Sequence, residues 1–146
     1  MTRIPKGLVW GWRSASLRWG FYRSDIRDVA GDLYMQRWIL ATPWGMLRLH
    51  HILQADGGRN THDHPFDFVT MILRGGYTEE IVDGNRTAWV TRTAGSRVHH
   101  VAEAPHRICM LHGDTWTLVL AGAIRRTWGF HTPRGWVPFT EYAKPE

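Results

Sequence analysis

Residues 57–76 read GGRNTHDHPFDFVTMILRGG, and His62-Asp63-His64 is the part that decides the rest. Side chains of an extended backbone alternate faces, so His62 and His64 point one way and Asp63 the other. Two imidazoles on one face can chelate one ion. The turn-rich QADGGRNT before them and Pro65 after them set the pair at a strand end. FDFVTMIL then reads as a strand, closed by Arg74-Gly75-Gly76. A lone pair of this kind also occurs as two surface histidines on a strand, so the reading depends on what the rest of the chain adds.

Outward from this stretch the pattern is β. Upstream, YMQRWILA and the alternating MLRLHHIL are strands separated by TPWG. Downstream, YTEEIV and RTAWVTRT flank Asp83-Gly84-Asn85, a hairpin signal. SRVHHVA, HRICML and TWTLVLAG follow as short strands divided by turn residues. Many short strands at near-regular spacing predict an all-β sandwich or barrel. SLRWGFYRSDIRDVAGDL is expected to carry one or two helical turns, with Asp and Ser as caps. Residues 1–33 are read as an N-terminal extension. Residues 34–146 are read as the barrel, with RRTWGFHTPRGWVPFTEY as an aromatic C-terminal strap.

A second motif, GSRVHHVAEAPHR from Gly95 to Arg107, brings in His106. Together the two stretches resemble the paired motifs of the cupin superfamily. In that family the first motif runs from Gly through H-x-H to an acid and a strand ending in Gly. The second has a His at the spacing seen here from Gly95 to His106. Val101 and Glu103 stand where the family has Pro and Gly, which concerns the turn and not the ligand. The resemblance covers about residues 45–125. It implies a single jelly-roll-type β-barrel and one divalent transition metal held by His62, His64 and His106. Iron(II) is the first expectation, with zinc, nickel, manganese and copper also compatible with imidazoles. The family's fourth ligand is usually Glu, and Phe68 occupies its place. Asp67, one residue earlier, is the second-choice ligand or a partner of the ligands. Otherwise the site has three histidines, as in thiol dioxygenases. The stretches LHHIL, HDHPFDFVTMILRGGYTEE, APHR, WTLVLAG and RRTWGFHTPRGWVPF also resemble small cupin-like proteins of phage and bacterial genomes, a group that implies no activity.

Composition bounds the function. The 146 residues suffice for one core, and no apolar run reaches the roughly 20 residues of a membrane span. The start lacks a signal-peptide pattern, and the one cysteine, Cys109, suits a reducing compartment, so a cytoplasmic protein is expected. Sixteen of the eighteen basic residues are Arg and the net charge is +5, but the arginines form no dense block. A small polar or anionic ligand fits this better than nucleic acid.

Other candidates are weighed by strand parity. His99 and His100 face opposite sides, so at most one lines the interior, and the same holds for His50 and His51. Glu79 is a candidate base or ligand, set against a solvated strand edge. Arg125, Trp128 and His131 are candidates for the wall of an anion pocket, or for a strap over a sheet edge or dimer seam. Cys109 falls on the face away from His106, as an apolar filler. Three functions follow: an iron(II)-type oxygenase acting on a small polar or anionic molecule, a non-enzymatic ligand-binding module, or a sugar or sugar-nucleotide isomerase or epimerase. A homodimer through sheet edges is compatible with all three.

Overall fold

The structure is a computed structural model that describes residues 19–28, 30–56 and 60–142. Twelve strands and one helical turn make up the described residues. The strands are β1 (Gly20–Arg27), β2 (Leu33–Thr42), β3 (Gly45–Ile52), β4 (Thr61–His62), β5 (Phe68–Arg74), β6 (Gly76–Asp83), β7 (Arg86–Thr93), β8 (Arg97–His100), β9 (His106–Leu111), β10 (Thr115–Ala121), β11 (Gly129–Thr132) and β12 (Gly135–Pro138). The turn α1 spans Phe139–Tyr142. Every pairing is antiparallel, in two six-stranded sheets of order β1-β2-β3-β10-β5-β8 and β12-β11-β4-β9-β6-β7. This is a jelly roll of two facing sheets. Its edge strands do not hydrogen-bond into a closed barrel among the described residues.

One expectation is corrected. Gly20–Arg27 is a strand and not helical turns: it pairs with β2 from Gly20↔Ala41 onward. Phe21, Tyr22 and Ile26 suit a pleated surface, and an eight-residue ladder outweighs the helical propensity of a few capping residues. The part of that stretch before Trp19 lies outside the described residues, as does the centre of the loop before His62.

The sheets are linked where β5 passes into β6. Gly75 sits there at φ +67, and a Cβ on it would lie 2.5 Å from the Asp114 carbonyl oxygen. Only glycine fits both the left-handed backbone and the close approach. Between the sheets lie two apolar clusters. One joins Ile39, Ala41, Met46, Phe66, Phe68, Val119 and Ala121. The other joins Ile52, Ile72 and Tyr77, with Met35, Ile108 and Leu111 against them. Among the described residues no helix is long and apolar enough to cross a membrane.

Candidate metal centre

β4 is two residues long. His62 pairs with His106 of β9 on one side and with Phe130 of β11 on the other. The chain beyond it is held by Asp63 N–H on the Gly129 carbonyl (3.0 Å) and His64 N–H on the Ala102 carbonyl (2.9 Å). The extended course continues through His64, so His62 and His64 share one side and Asp63 takes the other. The cross-strand pairing of His62 with His106 supplies the third imidazole. The ring centroids form a near-equilateral triangle: 5.0 Å for His62–His64, 5.1 Å for His62–His106 and 5.0 Å for His64–His106. One nitrogen from each lies within 4.8 Å of the others, and His64 Nε2 is 2.8 Å from His106 Nε2. Two nitrogens bound to one ion at 2.0–2.1 Å each would stand about 3 Å apart.

Behind the triangle stands Glu79. It is 0% exposed, and its Oε2 accepts from His106 Nδ1 at 2.9 Å. A carboxylate only accepts, so the proton of His106 is on Nδ1 and Nε2 can offer its lone pair toward His64. Arg92 Nε donates to the other oxygen of Glu79 at 2.8 Å, and His100 Nε2 lies 3.8 Å from Oε2. Burial pushes the Glu79 carboxyl up, but the His106 hydrogen bond and the adjacent imidazoles and Arg92 outweigh it, and the net shift is downward. Burial lowers His64 well below the ordinary histidine value, with the neighbouring imidazoles and Arg48 adding to it. Burial, with His106 beside it, lowers His100 to about 4. Neutral imidazole is the form that binds a metal.

Glu79, His100 and His106 form a second group with metal-ligating geometry. The first group opens on a cavity, which Glu79 and His100 of the second do not line. That cavity, about 120 Å³, lies between the sheets and is lined by His62, His64 and His106 on one wall. Arg48, His50, Thr70 and Thr117 lie on the other, with Phe66, Phe68 and Ile108 among the apolar residues between. Phe68 fills the place of the absent acid: its ring is 4.6 Å from that of His64 and 4.7 Å from that of His100.

The remaining candidates fall in different places. Asp67 is turned away from the imidazoles; its Oδ1 accepts from Ala102 N and Arg125 Nη2, both at 2.7 Å. Arg125 is spent on Asp67 and Glu103 at the surface. Glu79 is buried behind His106, neither on a solvated edge nor in the cavity wall. Trp128 lies edge-on to His62 at 6.1 Å and stacks on Phe139. His131 turns to the far side and meets Asp63 at 3.1 Å. Asp63 itself, 1% exposed, also accepts from Gly129 N (2.7 Å) and Trp136 Nε1 (2.9 Å) and faces Arg126 Nη1 at 3.2 Å. It therefore ties the aromatic strap to the histidine strand, a role no spacing suggested. His100 faces in and His99 out; His50 faces in, while His51 bonds Gln36 and Asp114 outside.

No family model matches the chain, and no curated protein does. Solved structures match in fold. Iron(II) HppE aligns with TM-score 0.54 at 13% identity, over 68% of this chain and 56% of HppE. A vicilin from Solanum melongena aligns at 0.56 and 11%, over 77% of this chain and 33% of the vicilin. VPA0057 of Vibrio parahaemolyticus, a protein of unknown function, aligns at 0.51 and 12%, over 68% of this chain and 97% of that domain. The chain thus spans little more than half of HppE and a third of the vicilin, and at these identities the likeness is one of fold.

Proposed function

We propose that this chain, whose jelly roll is the cupin fold, is a metal-dependent oxygenase that holds one iron(II) ion through His62, His64 and His106. Its substrate would be a small polar or anionic molecule. The observation that carries this reading is the triangle of imidazoles opening on the cavity between the sheets. The donor set fits the ion: the Nε2 separation of His64 and His106 is close to that of two nitrogens on one metal, and Glu79 orients His106 from behind. Three protein nitrogens leave three positions open on a six-coordinate ion. Such an ion supplies Lewis acidity and, as iron(II), the means to activate dioxygen.

The protein's own part is position and exclusion. Glu79 fixes the proton of His106 on Nδ1, so Nε2 stays a donor toward the metal. Phe66 and Phe68 pack against His64 and keep water from that side. Trp128, braced by Phe139, stands beside His62. HppE, a cupin-fold protein solved with iron(II), supports iron as the first choice of metal.

Elemental analysis of the purified protein and of a His62→Ala, His64→Ala double variant tests the site. About one equivalent of metal is expected in the native protein and almost none in the variant; equal metal in both would remove the site. Oxygen uptake by the iron-loaded protein, measured over small acids, amino acids and thiols, tests the reaction. Bound metal with ligand binding but no uptake and no turnover would leave a ligand-binding module instead.

A further inference from the structure

Part of the inner face of the first sheet, beyond the apolar row of Ala41, Met46, Ala121 and Phe68, is polar where a jelly-roll core calls for apolar side chains. Ser24, Arg37, His50 and Thr117 stand in register across β1, β2, β3 and β10. In the next row Arg48 and Thr70 flank Val119. The adjacent strands meanwhile turn leucines outward: Leu47 is 39% and Leu120 61% exposed. Arg37 Nε, Arg48 Nε, His50 Nε2 and Thr117 Oγ1 are buried and have no hydrogen-bond partner among the described residues. Unsatisfied buried polar atoms are rare and each needs a reason.

The two guanidiniums are the sharpest case. Other arginines of the fold meet carboxylates: Arg92 with Glu79, Arg107 with Glu80, Arg125 with Asp67 and Glu103, and Arg126 with Asp63. Arg37 reaches only Ser24 Oγ at 3.1 Å. Arg48 has a weak contact to Met46 Sδ at 3.5 Å and lies over the Phe66 ring at 4.7 Å. Neither has a carboxylate partner among the described residues. Burial lowers Arg37 to about 10, and burial plus the repulsion of Arg37 lowers Arg48 to about 9, so both stay charged at neutral pH. Water in the cavity can satisfy hydrogen bonds but cannot neutralise charge, and an unpaired buried charge is costly.

We propose that Arg48, backed by Arg37 and flanked by His50, Thr70 and Thr117, is the binding site for the anionic head of the ligand, a carboxylate or phosphoryl group. The guanidinium fork matches either oxyanion, and the hydroxyls and imidazole offer further hydrogen bonds. Arg48 and the three imidazoles line opposite walls of one cavity, so a bound molecule has its anionic end on the first sheet and its other end toward the imidazoles. The cavity of about 120 Å³ limits the enclosed part to a few non-hydrogen atoms, on the order of five to eight. That orientation rests on the metal reading; the anion subsite does not.

The test is calorimetric titration of metal-free native protein and of Arg48→Met with propionate and, separately, methylphosphonate, at fixed ionic strength. Native protein should bind at least one probe and Arg48→Met at least tenfold more weakly; the preferred probe separates carboxylate from phosphoryl ligands. No binding of either probe by native protein, or equal binding by both proteins, overturns the proposal. Arg48→Met should also melt at or above the native temperature, since it removes an uncompensated buried charge, and circular dichroism checks that it is folded. Metal content is measured on the same preparations as purified, before the metal is stripped for titration. Native protein that binds the anion yet retains no metal would overturn the metal reading alone, and the converse result would overturn the anion subsite alone.

Discussion

Glu79 is wholly buried, and its two oxygens serve different partners: His106 on one side and Arg92 on the other. Substituting Gln keeps the shape and removes the charge. Its amide can still accept from one partner but no longer stabilises a proton on both. Glu79→Gln should therefore stay folded and bind metal about 10–100-fold more weakly, read by competition with a chromophoric chelator. Glu79→Ala is harsher, because it leaves Arg92 and His106 facing a void. A loss of about 3 kcal/mol or more in urea unfolding is expected. Asp63 behaves differently because its partners hold structure and not the metal triangle. Burial raises its pKa and the donors from Arg126, Gly129, His131 and Trp136 lower it, with a net shift downward. Asp63→Ala should cost on the order of 2–4 kcal/mol and speed tryptic cleavage at Arg125 and Arg126, as the strap loosens.

At the scale of the element, strand positions were legible and strand faces were not. HRICML and RTAWVTRT coincide with β9 and β7, and YMQRWILA and MLRLHHIL fall within a residue of β2 and β3. Alternation locates a strand, because polar and apolar residues take turns on the pleat. It does not say which set is inside when the interior holds a site. In MLRLHHIL the usual reading turns the leucines in; Met46, Arg48, His50 and Ile52 point in instead, and Leu47 and Leu49 point out. TWTLVLAG is inverted in the same way, with Thr115 and Thr117 inside. The histidine triangle was legible because His62 and His64 are two apart and His106 stands at a motif spacing. Glu79 was visible only as one of two adjacent acids, since nothing local tells that β6 pairs with β9. The tight passage from β5 to β6 is a stricter case of sequence dictating geometry. Gly75→Ala meets both a positive φ and a backbone oxygen, so it should destabilise by more than about 1 kcal/mol in urea unfolding, while at Gly84, where a Cβ would meet nothing within 4 Å, the conformational strain acts alone.

The whole molecule combines these groups into one pH response. Burial holds His50 and His64 well below the ordinary histidine value and lowers His100 to about 4. In the unfolded chain each titrates near 6.5. Between those values the unfolded chain binds more protons than the folded one, so stability is complete above about pH 6.5 and falls as the pH drops toward the folded values. For His100 alone the loss is on the order of 2 kcal/mol between pH 6.5 and 5, and His50 and His64 add to it. Asp63 and Glu79, both lowered, remove further stability as the pH falls through their ordinary values, 3.8 and 4.5. Domains of this size hold about 5–15 kcal/mol in total, so a steep acid limb is expected, with the metal-free melting temperature already falling by pH 5. Replacing His50 by Phe should flatten the upper part of that limb, because one group that must charge on unfolding is gone; an unchanged slope would mean that His50 is not held neutral. A metal on His62, His64 and His106 sharpens the same dependence, since protons compete for its ligands. At a hundredfold excess over its dissociation constant it adds about 2.7 kcal/mol, or on the order of 10 °C in melting temperature. That increment should be present at pH 7.5, shrink toward pH 5, and vanish with chelator at either pH. In the His62→Ala, His64→Ala variant the metal increment should be absent throughout, while the limb due to His50 and His100 remains.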